Sequence, residues 1–249
     1  MKILHVDIET AYTIGAVWQI YDTNVAQQLQ DEYVLGFGWA WEHLKQVHWL
    51  GLPDFPGQYK KDHRCDKELM KALRKLLEEA DVVVAHNGRS FDVRKIKGRM
   101  LINKLPPLPP FAVIDTKIEA RKFGFVSNKL DDLARRLFGE RKLKHDGIEL
   151  WTRCMDRKYD KAAWEQMATY CKKDVVLLKR LYRELLPWMQ NHPDWNVYEG
   201  FKGACRNCGS HNVVRCGHRY QYTQRRRYQQ YTCRGCGAYN RGDYEPLTV

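Results

Sequence analysis

The opening stretch, Lys2-Ile3-Leu4-His5-Val6-Asp7-Ile8-Glu9-Thr10, constrains the fold most. Ile3, Leu4 and Val6 suit a central strand covered on both faces, where apolar residues run nearly unbroken. Side chains alternate across a strand, so Asp7 and Glu9 fall on one face and Ile8 on the other. Two carboxylates this close at the end of a buried strand repel each other unless a cation lies between them. Carboxylate oxygens suit a hard divalent ion such as Mg²⁺ or Mn²⁺. A lone Asp-x-Glu is more often a pair of solvated acids where a strand frays. The pair therefore needs partners elsewhere in the chain.

The pattern around that strand predicts an α/β domain. Residues 33–41 and 46–50 read as a hairpin with its turn near His43, Leu44 and Lys45. Residues 11–31 read as a long connection with room for a short strand, and 51–63 as a loop. Leu69, Met70, Leu73, Leu76 and Leu77 recur at helical spacing within 67–80, with Asp66 as the expected N-cap. Residues 82–85 and 111–115 read as strands. A helix is expected from about 91 to 102, then a rigid connection through Pro106, Pro107, Pro109 and Pro110. Further helices are expected near 129–138 and 160–189. Strands first, then strand–helix alternation, predict a mixed central sheet flanked by helices, with residues 5–8, 82–85 and 112–114 in its middle.

Two later stretches offer partners for the acid pair. Asn87-Gly88-Arg89-Ser90-Phe91-Asp92 follows a buried strand and opens a helix. Asp92 is then expected at the carboxyl edge of the sheet, with Phe91 packed beneath it and the Asn87 amide nearby as a candidate nucleic-acid contact. An Asp at a helix start is also a common cap. Tyr170 and Asp174 are i and i+4 in a long helix and project from one face. Asp has weak propensity inside a helix, and a metal ion or a surface pairing with Lys173 would each account for it. Asp115 ends a strand at the same sheet edge and is assigned structural work. Asp131 and Asp132 read as capping or surface acids. Arg141, Lys142, Lys144 and His145 are candidate phosphate contacts.

In order, Asp7-x-Glu9, Asn87-x-x-x-Phe91-Asp92 and Tyr170-x-x-x-Asp174 resemble the motifs of the DEDD superfamily of DnaQ-like 3′–5′ exonucleases, which have an RNase H-like fold. The tyrosine marks one subclass; the other has a histidine five residues before the last Asp, where this chain has Thr169. The resemblance covers residues 1–190. The N-x-x-x-F-D form is similar to proofreading exonucleases of family B DNA polymerases and to stand-alone, often phage-encoded, nucleases. It implies two Mg²⁺ or Mn²⁺ ions held by Asp7, Glu9, Asp92 and Asp174. Asp7 would bridge them, Glu9 and Asp174 would complete one site, and Asp92 would support the other. Tyr170 would orient the attacking water; a phenol with a pKa near 10 is a poor free base at neutral pH. The implied reaction is removal of nucleotides from DNA 3′ ends, single-stranded or frayed. An exoribonuclease, a structure-specific endonuclease on the same fold and an inactive nucleic-acid-binding protein are the alternatives.

Composition agrees with a nucleic-acid partner. The 249 residues carry a formal net charge of +12, and a chain this basic points to a polyanion unless the charge serves only solubility. Hydrophobic residues make up 44%, ample for a packed core. No secretory signal and no apolar run of about 18 residues is visible, so no membrane association and a cytoplasmic, reducing location are expected. In that setting the eight cysteines read as metal ligands or free thiols rather than disulfides.

Residues 191–201 read as a linker. Beyond Gly200 the chain has nine cations against two acids, +7 of the total. Cys205-Arg206-Asn207-Cys208-Gly209 and Cys233-Arg234-Gly235-Cys236-Gly237 are two knuckles, four thiolates for one structural Zn²⁺, each followed by a Gly that permits a left-handed turn. Residues 213–215, 220–222 and 228–232 have strand character. This segment resembles a zinc ribbon of the kind found in transposases and other DNA-handling proteins, so residues 202–249 are expected to form a separate unit. Cys216 and His218 are spare donors. The ribbon would either brace the rest of the chain or grip nucleic acid, the concentration of charge favouring grip. Arg225, Arg226 and Arg227 would then lie on phosphates, and tyrosines including Tyr228 would be available for stacking.

Overall fold

The computed structural model describes residues 1–224 and 226–246, with side chains through 242; Arg225 lies outside the described residues. Its centre is β1 (Ile3–Thr10), followed by a small hairpin of β2 (Ile14–Ala16) and β3 (Gln27–Gln30), then β4 (Val34–Trp41) and β5 (His48–Gly51). Next come α1 (Pro56–Lys61), α2 (Lys67–Glu79), β6 (Val82–Ala85), α3 (Asp92–Ile102), β7 (Ala112–Asp115) and α4 (Thr116–Arg121). Three helices, α5 (Leu130–Phe138), α6 (Ile148–Met155) and α7 (Lys161–Leu185), complete this part. The main sheet has the order β5-β4-β1-β6-β7. β1 is antiparallel to β4 and parallel to β6. The strand expected in the middle at 112–114 is instead an edge. β4 and β6 flank β1, leaving the outer side of β6 for β7, whose Ala112 and Val113 are only half-buried.

Strand alternation divides β1 between two cores. Leu4, Val6 and Ile8 face one that includes Met70, Leu73 and Leu77 of α2, Ile96 of α3 and Leu150 of α6. Ile3 faces the other, with Leu133 of α5 and Leu177, Leu178 and Leu181 of α7. Asp7 and Glu9 share the face of Ile3, towards α7. Their partners in the β1–β4 ladder are Gly38 and Gly36. A Cβ on Gly38 would stand 3.0 Å from both Cys171 Sγ and Val175 Cγ2 of α7. This glycine therefore sets how closely the long helix approaches the acidic strand.

Asp66 precedes α2, but its side chain makes no cap hydrogen bond there. The fully buried carboxylate instead accepts from Arg99 Nε at 2.7 Å, Arg99 Nη2 at 3.0 Å, Asn103 Nδ2 at 2.7 Å and Val34 N–H at 2.9 Å. A buried charge needs such partners, and here they tie α3 to the start of β4.

After residue 190 come α8 (Trp195–Glu199), β8 (Val213–Tyr222), β9 (Arg226–Cys233) and β10 (Tyr239–Pro246), the strands forming an antiparallel sheet in the order β10-β9-β8. The stretch expected as a linker thus contains α8, which has no buried residue but is tied to the cysteine segment. Trp195 lies against Gly209 and donates from its indole to Asn207 O at 3.0 Å. Asn207 Nδ2 donates to Leu186 O and Met189 O, at 2.7 and 3.0 Å, just beyond the end of α7. Among the described residues no helix is long and apolar enough to cross a membrane.

Arg99→Ala is expected to leave the Asp66 carboxylate buried without its cation and to lower unfolding free energy by about 3–5 kcal/mol, measurable by urea denaturation.

Candidate active site and cysteine cluster

Three elements bring the acidic side chains together. Asp7 and Glu9 come from the end of β1, Asp92 from the first residue of α3, and Asp174 from the middle of α7. Glu9, Asp92 and Asp174 are buried, at 8%, 3% and 2% exposure, whereas Asp7 keeps an opening to solvent. Asp92 Oδ1 accepts from Ile8 N–H at 3.2 Å, across from the helix it begins. Phe91 does not pack beneath it as expected. As the residue preceding the helix it remains 37% exposed, because the turn after β6 carries it outward.

Burial dominates the protonation of these groups, with mutual repulsion added. Asp7 and Glu9 are both pushed well above the ordinary carboxylate range, first by desolvation and then by the neighbouring carboxylates. Burial lifts Asp92 to about 7 and raises Asp174 as well. The Tyr170 phenol is also raised by burial and by Asp174, so it stays protonated at neutral pH.

Lys142 partly offsets this crowding. Its ammonium donates to Tyr170 Oη at 3.1 Å and to Asp174 Oδ2. It lies 5.2 Å from the Tyr170 ring centroid. Lys142, a candidate phosphate contact, thus reaches the acid site itself. Asp131 is the reason: its carboxylate accepts from Lys142 N–H at 2.7 Å and from Arg141 Nη1 at 3.2 Å, pinning the loop. Tyr170 is further held by edge-on rings of His145 and Trp151, centroids 4.7 and 5.9 Å away. Nothing in the helical spacing pointed to α6, which carries Trp151.

The acid cluster fits divalent metal. Asp174 Oδ1 is buried without a hydrogen-bond donor, an acceptor left over for a cation. The donor atoms of Asp7, Glu9 and Cys171 lie within 4.8 Å of one another. Cys171 donates its S–H to Asp7 Oδ2 at 3.5 Å. Asn87 stands at the sheet edge with φ of 71°, a left-handed geometry that Asn tolerates, and its Oδ1 accepts from Lys117 Nζ at 3.3 Å. Asp115 caps α4 through Lys117 N–H and also accepts from Asn87 and Arg89 N–H, each at 3.0 Å, which is structural work.

The four knuckle cysteines form a second cluster, their Sγ atoms all within 4.8 Å. The Cys205–Cys236 and Cys208–Cys233 separations are 3.7 and 3.6 Å. A tetrahedron with Zn–S bonds of about 2.3 Å has edges of about 3.8 Å, so the set fits Zn²⁺, whereas a disulfide would need about 2.05 Å. Gly209 and Gly237 adopt φ of 75° and 82° and donate N–H back to Cys205 O and Cys233 O. Cys216 lies outside this cluster and pairs with Thr232 Oγ1 at 2.7 Å. On β9, Arg226 is exposed, while Arg227 lies over the Tyr220 ring and Tyr228 under Arg241.

A sequence profile of the RNase H superfamily matches residues 20–186. The chain belongs to the RNase H superfamily. Its fold is also similar to part of a family B DNA polymerase from the hyperthermophilic archaeon Pyrobaculum calidifontis. The TM-score is 0.56 and the identity 18%, over 75% of this chain and 25% of the polymerase, so the chain spans about a quarter of that protein's length. At this identity the likeness concerns the fold alone. No curated protein sequence matches the chain. RNase H-superfamily membership supports a nuclease of this fold, with divalent metal and a nucleic-acid substrate.

Gly38→Val should push α7 from β1 and reduce nuclease turnover by roughly 10²-fold, the scale of a 1 Å misplacement, as read in steady-state kinetics. The raised carboxylates favour the fold most below the ordinary carboxylate range, and that contribution is lost as pH rises through about 7 at Asp92. Melting curves with and without Mg²⁺ should therefore diverge more at alkaline than at acidic pH. His86 has the opposite sign. Burial lowers its pKa to about 4, so its contribution falls as pH drops from 6.5 towards 4, and His86→Gln should flatten that acid limb.

Proposed function

We propose that the chain is a metal-dependent 3′–5′ exonuclease that removes nucleotides from single-stranded or frayed DNA ends. The observation that carries this reading is the convergence of Asp7, Glu9, Asp92 and Asp174 beside the Tyr170 hydroxyl, from motifs in the order of the tyrosine-subclass exonucleases. Two Mg²⁺ or Mn²⁺ ions bound there would stabilise the attacking and leaving oxygens of an in-line phosphodiester displacement. Asp7, Glu9, Asp92 and Asp174 would hold these ions. Tyr170 remains a phenol and orients the attacking water by hydrogen bonding. Lys142 holds Tyr170 and Asp174 in register. The carboxylates are mostly buried, so a terminal nucleotide has to leave its stack to reach them, which favours unpaired ends.

The test uses 5′-labelled single-stranded DNA, duplex DNA and RNA with Mg²⁺ or Mn²⁺. A ladder shrinking from the 3′ end of DNA supports the reading. Degradation of RNA alone would transfer the activity to exoribonucleases, and cuts in circular DNA would make it an endonuclease. Asp7→Ala should abolish turnover while circular dichroism remains unchanged.

Residues 1–190 are assigned to the nuclease and 202–249 to a zinc ribbon with Zn²⁺ on Cys205, Cys208, Cys233 and Cys236. Arg226, Arg227 and Tyr228 are assigned to nucleic acid, with Arg225 of the same run. A bracing role is favoured by one specific contact, that of Asn207 with the carbonyls beyond α7. The roles separate experimentally. Arg226→Glu with Arg227→Glu should weaken binding and flatten its log–log salt dependence by about 1.4 on a single strand. Asn207→Ala should instead lower the melting temperature of the nuclease.

A further inference from the structure

A cleft of about 1090 Å³ opens between the β2–β3 hairpin, α1 and the C-terminal end of α6. None of the four clustered carboxylates lines it, yet two features join it to them. Tyr12 lines the cleft and follows Glu9 by three residues, just past the end of β1. Its hydroxyl pairs with Thr152 Oγ1 at 2.9 Å, on the opposite wall. Thr152 adjoins Trp151, whose ring packs on Tyr170. One wall, α6, therefore runs from the Tyr170 phenol into the cleft.

The lining combines positive charge with aromatic rings. Lys60, Lys61, Arg64 and Arg157 are exposed there and outnumber Asp62 and Asp156. Tyr12, Tyr59 and Tyr159 supply the rings, with Tyr59 and Tyr159 meeting edge-on at 6.3 Å between centroids. Cations along a groove with rings between them match a single-stranded polynucleotide, whose phosphates and unstacked bases both need partners. A duplex offers its backbone but keeps its bases stacked, and an acidic peptide has no base to set against the rings.

We propose that this cleft is a single-strand channel that holds the nucleotides upstream of the scissile end, with Lys60, Lys61, Arg64 and Arg157 on phosphates and Tyr12, Tyr59 and Tyr159 against bases. The proposal rests on the nuclease reading above and extends it to substrate length. Affinity then grows with each nucleotide that enters the cleft and levels off once it is full. This extent of contact separates a channel from a site that grips only the terminal residue.

Fluorescence anisotropy with labelled thymidine oligomers, from dimer to dodecamer, tests this on full-length Asp7→Asn protein, in which cleavage does not interfere. Affinity should rise with length and then plateau. Combining Lys60→Glu, Lys61→Glu and Arg64→Glu should weaken dodecamer binding about tenfold or more and reduce the log–log salt slope by about 2. Tyr159→Ala, at a ring 51% exposed, is the variant least able to disturb folding and should weaken the dodecamer more than the dimer. Affinity independent of length would overturn the channel. So would charge-reversed protein that is folded by circular dichroism and keeps the wild-type length and salt dependence. Hydrolysis of thymidine 5′-p-nitrophenyl phosphate by the wild-type chain with Mn²⁺ is the separate control. If neither this ester nor any oligomer is cleaved while binding still depends on length, the nuclease reading fails and the cleft stands only as a single-strand binding groove with no scissile end.

Discussion

Four carboxylates gathered with little access to water set the terms for the elements around them. Removing one ionised carboxylate from water is costly, and crowding several raises the cost, which is why every member of this set is held above its ordinary pKa. Such a cluster persists only if the surrounding fold is stable enough to hold it and if positive charge can reach it. The two apolar cores on either side of β1 meet the first condition. Lys142 meets part of the second, and the donor-less Asp174 oxygen leaves the rest to a cation.

The helix α7 links the two ends of the molecule. Its middle carries Tyr170 and Asp174, with Cys171 against the glycine opposite Asp7, and the turn beyond its end is held by Asn207 from between the first two knuckle cysteines. A shift in the knuckle therefore bears on the helix that supplies the site. The proposed bracing and nucleic-acid roles of the cysteine unit are compatible because they use different residues: Asn207 is buried against the end of α7, while Arg226 is exposed on β9.

Much of this was legible beforehand for identifiable reasons. The burial of β1 and β6 followed from their apolar runs, and α2 from its helical spacing. The spacing Tyr170-x-x-x-Asp174 needed only helical geometry. The short pieces were not legible. α1, α4 and α6 are six, six and eight residues long, too short for periodicity to speak. Asp66 looked like a cap because local sequence cannot reveal that Arg99, 33 residues away, binds it. The connecting stretch at 191–201 looked like a linker because its Pro, Asp and Gly residues are also those that begin and end a short helix.

By itself the sequence determined the identity and order of the acids, the helical face shared by Tyr170 and Asp174, and the paired cysteine knuckles, because these depend on spacings of one to four residues. Only the tertiary structure decided that Gly38 admits α7, that Asp131 turns Lys142 towards Tyr170, that β7 is an edge, and that cationic and aromatic residues of the β2–β3 side, α1 and α6 line one cleft. Each of these depends on which distant surfaces meet, and that is settled by packing and by the need to partner buried charge rather than by any local pattern.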